Sequence, residues 1–215
     1  MVFHVLNRGV GRMRLFDKPG DYAAFEEILG QTQKVRPMRI CAYCIMPDHW
    51  HMVLWPRRDD DLAAFMQRLS ITHVRRWQTH RQMIGEGHIY QGRYKSFPIQ
   101  ADTHFLTVCR YVERNPVRAD LVERAEDWRW SSLWHREKGN GELSELLADW
   151  PVPRPAEWLD RVREPEGPNE LEALRLSVAR GRPFGEPAWA DRIAKELGLE
   201  NTFRSPGRPR KKKTS

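Results

Sequence analysis

An α+β fold is predicted by the order of the chain's hydrophobic patterns and by a tight turn between two of them. Apolar or alternating runs at 2–6, 38–46, 49–55 and 93–99 read as strands. Runs with helical periodicity begin near residue 19, near 61 and after Asp102. Pro47-Asp48 separates two of the strand-like runs and predicts a hairpin. The resulting order, β-α-β-β-α-β-α, begins with the six elements of the ferredoxin-like split βαβ arrangement, an antiparallel sheet with two helices on one face. Such a sheet, as in RRM-like modules, is expected to leave its other face free for nucleic acid.

Each element has its own local reason. Val2-Phe3-His4-Val5-Leu6 is a strand that runs into a turn-like Asn7-Arg8-Gly9. Pro19 suits the first turn of a helix, and Tyr22, Phe25, Ile28 and Leu29 follow at helical spacing. Leu62, Phe65, Met66, Leu69, His73 and Trp77 give the second helix, 61–81, its apolar side. Arg93 to Ile99 alternates like a strand. Asp102 is placed to cap a third helix, which Asn115-Pro116 is expected to end.

After Trp134 the character of the chain changes. Gly139-Asn140-Gly141 is a break, and five prolines between 151 and 168 punctuate an acidic stretch. Two further helices are expected near 169–180 and 186–198. The expected organisation is a domain at 1–135, an acidic, Trp- and Pro-bearing helical extension at 136–200, and a disordered basic tail at 201–215.

The net charge of +7 is unevenly spread. Residues 66–118 hold nine basic and three acidic side chains, 120–172 hold fourteen acidic and seven basic, and 201–215 hold six basic and none acidic. A basic middle and a basic tail around an acidic segment point to a polyanionic partner. No apolar run approaches the ~20 residues that span a bilayer, and the start lacks the pattern of a signal peptide. Three cysteines, an odd number, fit a reducing cytoplasm rather than a disulfide framework.

Two places carry candidate chemistry. On a strand, residues two apart share a face, so His49 and His51 leave the sheet together while Trp50, Met52 and Leu54 pack opposite. Two such imidazoles form half of a divalent-metal site, although a His-x-His pair is also a common structural feature. In the third helix Phe105, Val108, Cys109 and Val112 define the buried stripe, and Tyr111 lies roughly 100° from its centre. Asn115 falls on the same flank one turn later. A phenol and an amide thus project together, either as an edge of the core or as a nucleophile beside a metal ligand. Cys41 and Cys44 would point to opposite faces of a strand, which argues against zinc. Cys109 reads as core.

At this level the sequence resembles a known family. Tyr-Cys-Ile-Met-Pro-Asp-His-Trp-His-Met-Val (43–53) is similar to the "VMPDHxH" signature of the single-tyrosine HUH transposases, and His4 to Gly9 to their "HVxxRG" start. Gln91 to Tyr94 and Arg110 to Val122 resemble the "QxRY" and "RYxxxNPVRAGLV" segments of the REP-associated tyrosine transposases. Asp120 stands where that pattern has glycine. The resemblance covers residues 1 to about 135.

It implies the HUH endonuclease fold and a single-strand DNA endonuclease and strand transferase. His49, His51 and Asn115 would hold Mg2+ or Mn2+, and Tyr111 would be the nucleophile that forms a 5′-phosphotyrosine. The implied substrate is an imperfect DNA hairpin with a single-stranded foot, such as a repetitive extragenic palindrome. By position and charge, Arg8, Arg12, Arg93 and Lys95 are the expected DNA contacts, with Tyr90 and Tyr94 as candidates for base stacking. In the tail, Pro206-Gly207-Arg208-Pro209-Arg210 resembles an AT-hook core; Arg208 and Arg210 would enter a minor groove or simply attract DNA without sequence preference. A cytoplasmic location is expected from the cysteine usage, and a monomer from the long extension, with a dimer as the alternative. The rival reading is a non-catalytic nucleic-acid-binding module on the same fold.

Overall fold

A computed structural model of the chain describes residues 1–139 and 141–204. Its centre is a four-stranded antiparallel sheet of β1 (Val2–Arg8), β2 (Arg39–Met46), β3 (His49–Trp55) and β4 (Lys95–Ile99), in the order β2-β3-β1-β4. This is the expected ferredoxin-like arrangement. β2 and β3 are joined by Pro47 and Asp48 alone, as the turn signal predicts.

Two helices, α1 (Pro19–Val35) and α2 (Asp61–His80), cover one face. Their Phe25, Ile28, Leu29, Phe65, Met66 and Leu69 pack with Val5, Tyr43, Ile45, Trp50, Met52 and Leu54 of the sheet. Tyr90 belongs to this core. Its hydroxyl bonds the Trp50 indole at 3.0 Å and His73 Nδ1 at 2.7 Å, so it is not a surface for base stacking. Tyr94 is half-buried against the same core and lines a groove along α2.

The opposite face is not free, contrary to expectation. Helix α3 (Thr103–Glu113) lies across it, with Phe105, Val108, Cys109 and Val112 against Cys44, Met46, Val53, Phe97 and Ile99. The reason is composition: these sheet residues are as apolar as those on the first face, and leaving them in water would forfeit their burial. Asp102 caps α3, its carboxylate accepting from the His104 amide at 2.8 Å. As expected, α3 ends just before Asn115-Pro116, with Arg114 as its C-cap. A further turn, α4 (Asn115–Arg118), starts there, because proline fits a first helical turn as well as it ends a preceding one. Asp120 follows in the left-handed region at φ 53°, which explains why the family pattern has glycine at this place.

A second departure concerns the cysteines. The β2–β3 register shifts between Ile40 and Ala42, so Cys41 and Cys44 both enter the core on the α3 side instead of pointing apart. All three cysteines are free and buried, and burial raises the Cys41 thiol to about 12. They are inert packing groups.

The remaining chain forms α5 (Ser132–Glu137), α6 (Glu142–Glu145), α7 (Trp158–Arg163), α8 (Pro168–Arg180) and α9 (Pro187–Leu197). The last two agree with the expected helices to within a residue or so; the three short ones were not legible. This region closes both edges of the sheet. The Ile45 amide donates to the Trp130 carbonyl, the Ala148 amide to Ile40, and the Tyr43 amide to Ser132 Oγ, all along β2. Beside β4, the Phe184 amide donates to Pro98 and the Gln100 amide to Phe184. Trp158 is buried in the α3-side core, and its indole donates to Glu113 Oε2 at 2.8 Å. No helix of the described residues is long and apolar enough to cross a membrane.

Candidate active site

The strand alternation places His49 and His51 on the α3 side, with Arg8 opposite His49 and Leu6 opposite His51 in the neighbouring strand. Each imidazole is held through its Nδ1. His49 Nδ1 bonds the carboxylate of Asp48, and His51 Nδ1 lies 2.8 Å from Nε2 of the buried His4 on β1. Both Nε2 atoms are therefore left as the candidate ligating atoms. A bare Nε2 on His51 requires its proton on Nδ1, donated to His4. This arrangement, with the distal nitrogen tied to a carboxylate or another acceptor, is how metal-binding histidines are oriented.

α3 brings Tyr111 over this pair. Its ring meets His51 edge-on with centroids 5.9 Å apart, and His49 and His51 centroids are 5.0 Å apart. Asn115 follows at the start of α4; both residues are 8 % exposed. Arg118 ties the group together. Its guanidinium lies over the Tyr111 ring at 4.1 Å, and Nη2 donates to the Tyr111 carbonyl at 2.6 Å and to Asn115 Oδ1 at 2.8 Å. Its other end pairs with the buried Glu166, which also holds Arg114 at 3.3 Å.

These residues surround one cleft of about 530 Å³, lined by His49, His51, Tyr111 and Asn115. Arg8, Arg93, Lys95, Arg118 and Arg175 line it too, and no carboxylate of the described residues does. Lys95 reaches the cleft because it pairs with Leu6 on the His51 side of the sheet. The 91–93 segment is fixed to β1, with the Gln91 amide donating to Arg8 and Asn7 Nδ2 to the Gly92 carbonyl. Arg12 does not join the cleft. It is exposed on a 3-10 turn, Val10–Arg12, at φ 63°. Arg208 and Arg210 lie outside the described residues.

Burial favours the neutral form of His4 and of His51. Burial pushes His4 down to about 3, and burial followed by the neighbouring charges of His4, His49, Arg118 and Arg8 holds His51 well below the ordinary histidine range. Asp48 stays below the usual carboxylate range: burial opposes ionisation, but His49 and Arg8 outweigh it.

Two oriented imidazoles beside an amide fit a divalent ion. Among the described residues no group of three or more His, Cys, Asp or Glu forms a metal cage. A donor set of two imidazoles and one amide, if it held an ion, would leave positions open for a substrate oxygen or water.

Sequence reasoning missed His4, Asp48, Arg118 and Glu166 as parts of this site. Arg118 was findable, since it lies three residues from Asn115 and seven from Tyr111, on one helical flank. Asp48 is adjacent to His49. His4 depends on strand pairing, and Glu166 on how a distant segment docks; neither leaves a local signal.

Comparison with known proteins agrees with the geometry. Residues 1–115 match the family described as Transposase IS200 like. A Haemophilus influenzae protein provisionally named a REP-associated tyrosine transposase is 31% identical over 121 residues, 53% of this chain and 68% of that protein. An Escherichia coli REP-associated tyrosine transposase is 25% identical over 122 residues, 56% of this chain and 68% of that one. The solved structure of a REP-associated tyrosine transposase bound to a REP hairpin superposes with a TM-score of 0.51 at 23% identity, over 66% of this chain and 82% of that one, a likeness of fold. This chain is therefore a transposase of the IS200-like family, in its REP-associated tyrosine branch.

Proposed function

We propose that this transposase is a metal-dependent single-strand DNA endonuclease and strand transferase that works through a 5′-phosphotyrosine on Tyr111. The observation that carries the reading is the convergence of Tyr111, His49, His51 and Asn115 on one cleft lined by cations and by no carboxylate. A phosphodiester is the anion such a cleft suits, and the phenol beside it is a nucleophile for phosphorus. A catalytically idle module would have no use for this set.

His49, His51 and, through its amide oxygen, Asn115 would hold Mg2+ or Mn2+. When bound, the ion supplies Lewis acidity at a nonbridging phosphate oxygen. The chain supplies the rest. Arg118 fixes the Tyr111 ring by stacking and by its bond to the Tyr111 carbonyl. Tyr111 Oη attacks phosphorus and gives up its proton, the bond to the 3′ oxygen breaks, and that oxygen takes up one proton in exchange to leave as a free 3′-hydroxyl. The new bond between Tyr111 and the 5′ phosphate conserves the energy of the broken phosphodiester link, so a different 3′-hydroxyl can reverse the step and join strands.

Hairpin DNA of the REP type is the proposed substrate, by analogy with the named relatives. Arg8, Arg93 and Lys95 are the proposed backbone contacts, and the transposase is proposed to act as a monomer in the cytoplasm.

The test is a labelled single-stranded hairpin incubated with the protein and Mn2+, followed by denaturing electrophoresis. A covalent adduct is expected from the parent and none from Tyr111→Phe, which should bind DNA as before because only a hydroxyl is lost. Chelation, His49→Ala or His51→Ala should also abolish the adduct. Adduct formation by Tyr111→Phe would move the nucleophile elsewhere; activity in chelator would remove the ion from the reaction.

A further inference from the structure

Helix α8 lies beyond residue 115, where the family match ends, yet it forms a wall of the catalytic cleft. Arg175, Val178 and Ala179 line the cleft and stand three and four residues apart, so one flank of α8 faces it.

The helix is secured at both ends. At its start, Glu170 accepts from Thr107 Oγ1 at 3.0 Å and pairs with Arg110 of α3. Just before it, Glu166 pairs with Arg114 and Arg118. Past its end, Phe184 exchanges backbone bonds with Pro98 and Gln100 along β4. Leu174 and Ser177 are buried between these anchors. The acidic extension therefore engages Arg110 of α3, Arg118 of α4 and Arg114 between them with two glutamates, and it returns one cation, Arg175, to the cleft.

Arg175 is exposed and makes no ion pair or hydrogen bond among the described residues. Beside it, Val178 and Ala179 present a surface without charge. An unpaired guanidinium in a cleft lined by no carboxylate of the described residues suits one partner best, a phosphate oxygen, which it can meet with two N–H donors. We infer that Arg175 is a phosphate-binding residue for the substrate strand, so that the C-terminal extension completes the DNA-binding site of the same chain. The inference rests on the proposed single-strand substrate, and it adds a contact supplied from outside the matched domain.

The test uses the full-length Tyr111→Phe protein, so that binding is read without chemistry. Its affinity for a short fluorescein-labelled single-stranded oligodeoxynucleotide is measured by anisotropy from about 50 to about 200 mM salt. Arg175→Ala should weaken binding roughly fivefold to tenfold at the low end, the scale of one charge-assisted hydrogen bond. It should also reduce the slope of log K against log salt by about 0.7, one contact's worth on a single strand. Arg175→Glu should lose more, and Arg175→Lys should keep most of the affinity.

Arg192→Ala is the control, since Arg192 is exposed on α9 and pairs with Glu196 at 3.2 Å away from the cleft. Unchanged affinity and slope in Arg175→Ala overturn the inference. An equal loss in Arg192→Ala also overturns it, by showing that only overall charge matters. If the Tyr111→Phe parent binds no single strand, the proposed substrate itself falls and takes this contact with it.

Discussion

His4 Nε2 and His51 Nδ1 stand 2.8 Å apart across strands β1 and β3, so two buried imidazoles share one proton position. The other nitrogen of His4, Nδ1, has no partner among the described residues. This makes His4 the residue that sets which nitrogen of His51 is bare. Replacing it with leucine should lower Mn2+ affinity about tenfold to a hundredfold, the usual cost of removing such a partner. His4→Gln, whose amide oxygen can still accept from Nδ1–H, should retain much of it. Calorimetric Mn2+ titration with a thermal melt on each variant is the measurement. Equal affinity in His4→Leu would leave His4 a packing residue only.

Asn115 and Arg118 share one hydrogen bond but should fail differently. Asn115→Ala removes an amide oxygen that water can replace, so activity should fall less than in the histidine variants, with the Mn2+ requirement shifted upward. Arg118→Leu removes the stack on Tyr111, and kcat should fall about tenfold or more with little change in the Mn2+ dependence. Arg118→Lys should not rescue it, because a lysine cannot stack and fork as the guanidinium does. Rate against Mn2+ concentration for the three proteins checks this. A shifted Mn2+ curve in Arg118→Leu would reverse the assigned roles.

Glu126 links the α7 segment to the loop after α4. Burial disfavours its charge, but hydrogen bonds from Arg163 and Arg124 dominate and hold it at about 2, below its ordinary 4.5. Its folded-state value is depressed, so its stabilising contribution is complete above 4.5 and is lost as pH falls towards 2. Glu126→Gln should therefore destabilise the protein at pH 6 and flatten its acid limb. Urea unfolding at pH 6 and pH 3 should give a larger difference between variant and parent at pH 6. A difference that is constant with pH would contradict this.

Asp120 is held at φ 53°, where an L side chain is strained. Asp120→Gly should raise stability by about 1 kcal/mol, the left-handed penalty less the entropy glycine loses on folding. A higher midpoint in urea at unchanged slope would be the signature. A lower midpoint would mean the aspartate side chain stabilises the turn by more than the strain costs.

The sequence made the sheet and its first face readable because alternation and helical periodicity are local. Pro47-Asp48 fixed the hairpin, and the His-x-His spacing fixed which way His49 and His51 point. Tyr111 was located on its helix, but not above His51, because no local pattern said that α3 would cross the second face. The bulge at Cys41 likewise depends on pairing with β3. Glu166 and Arg175 were hidden for a third reason. They act through docking of a segment whose prolines and acidic residues read only as a change in composition.

The closure of the sheet at β2 and β4 has a consequence for assembly. An open edge strand is a template on which another copy, or a stray peptide, can continue the sheet. Here Trp130, Ser132 and Ala148 take bonding positions along β2, and Phe184 takes them along β4. Two copies could fuse their sheets only after peeling these segments away. The same part of the chain that walls the candidate cleft thus also guards the protein against strand-to-strand aggregation.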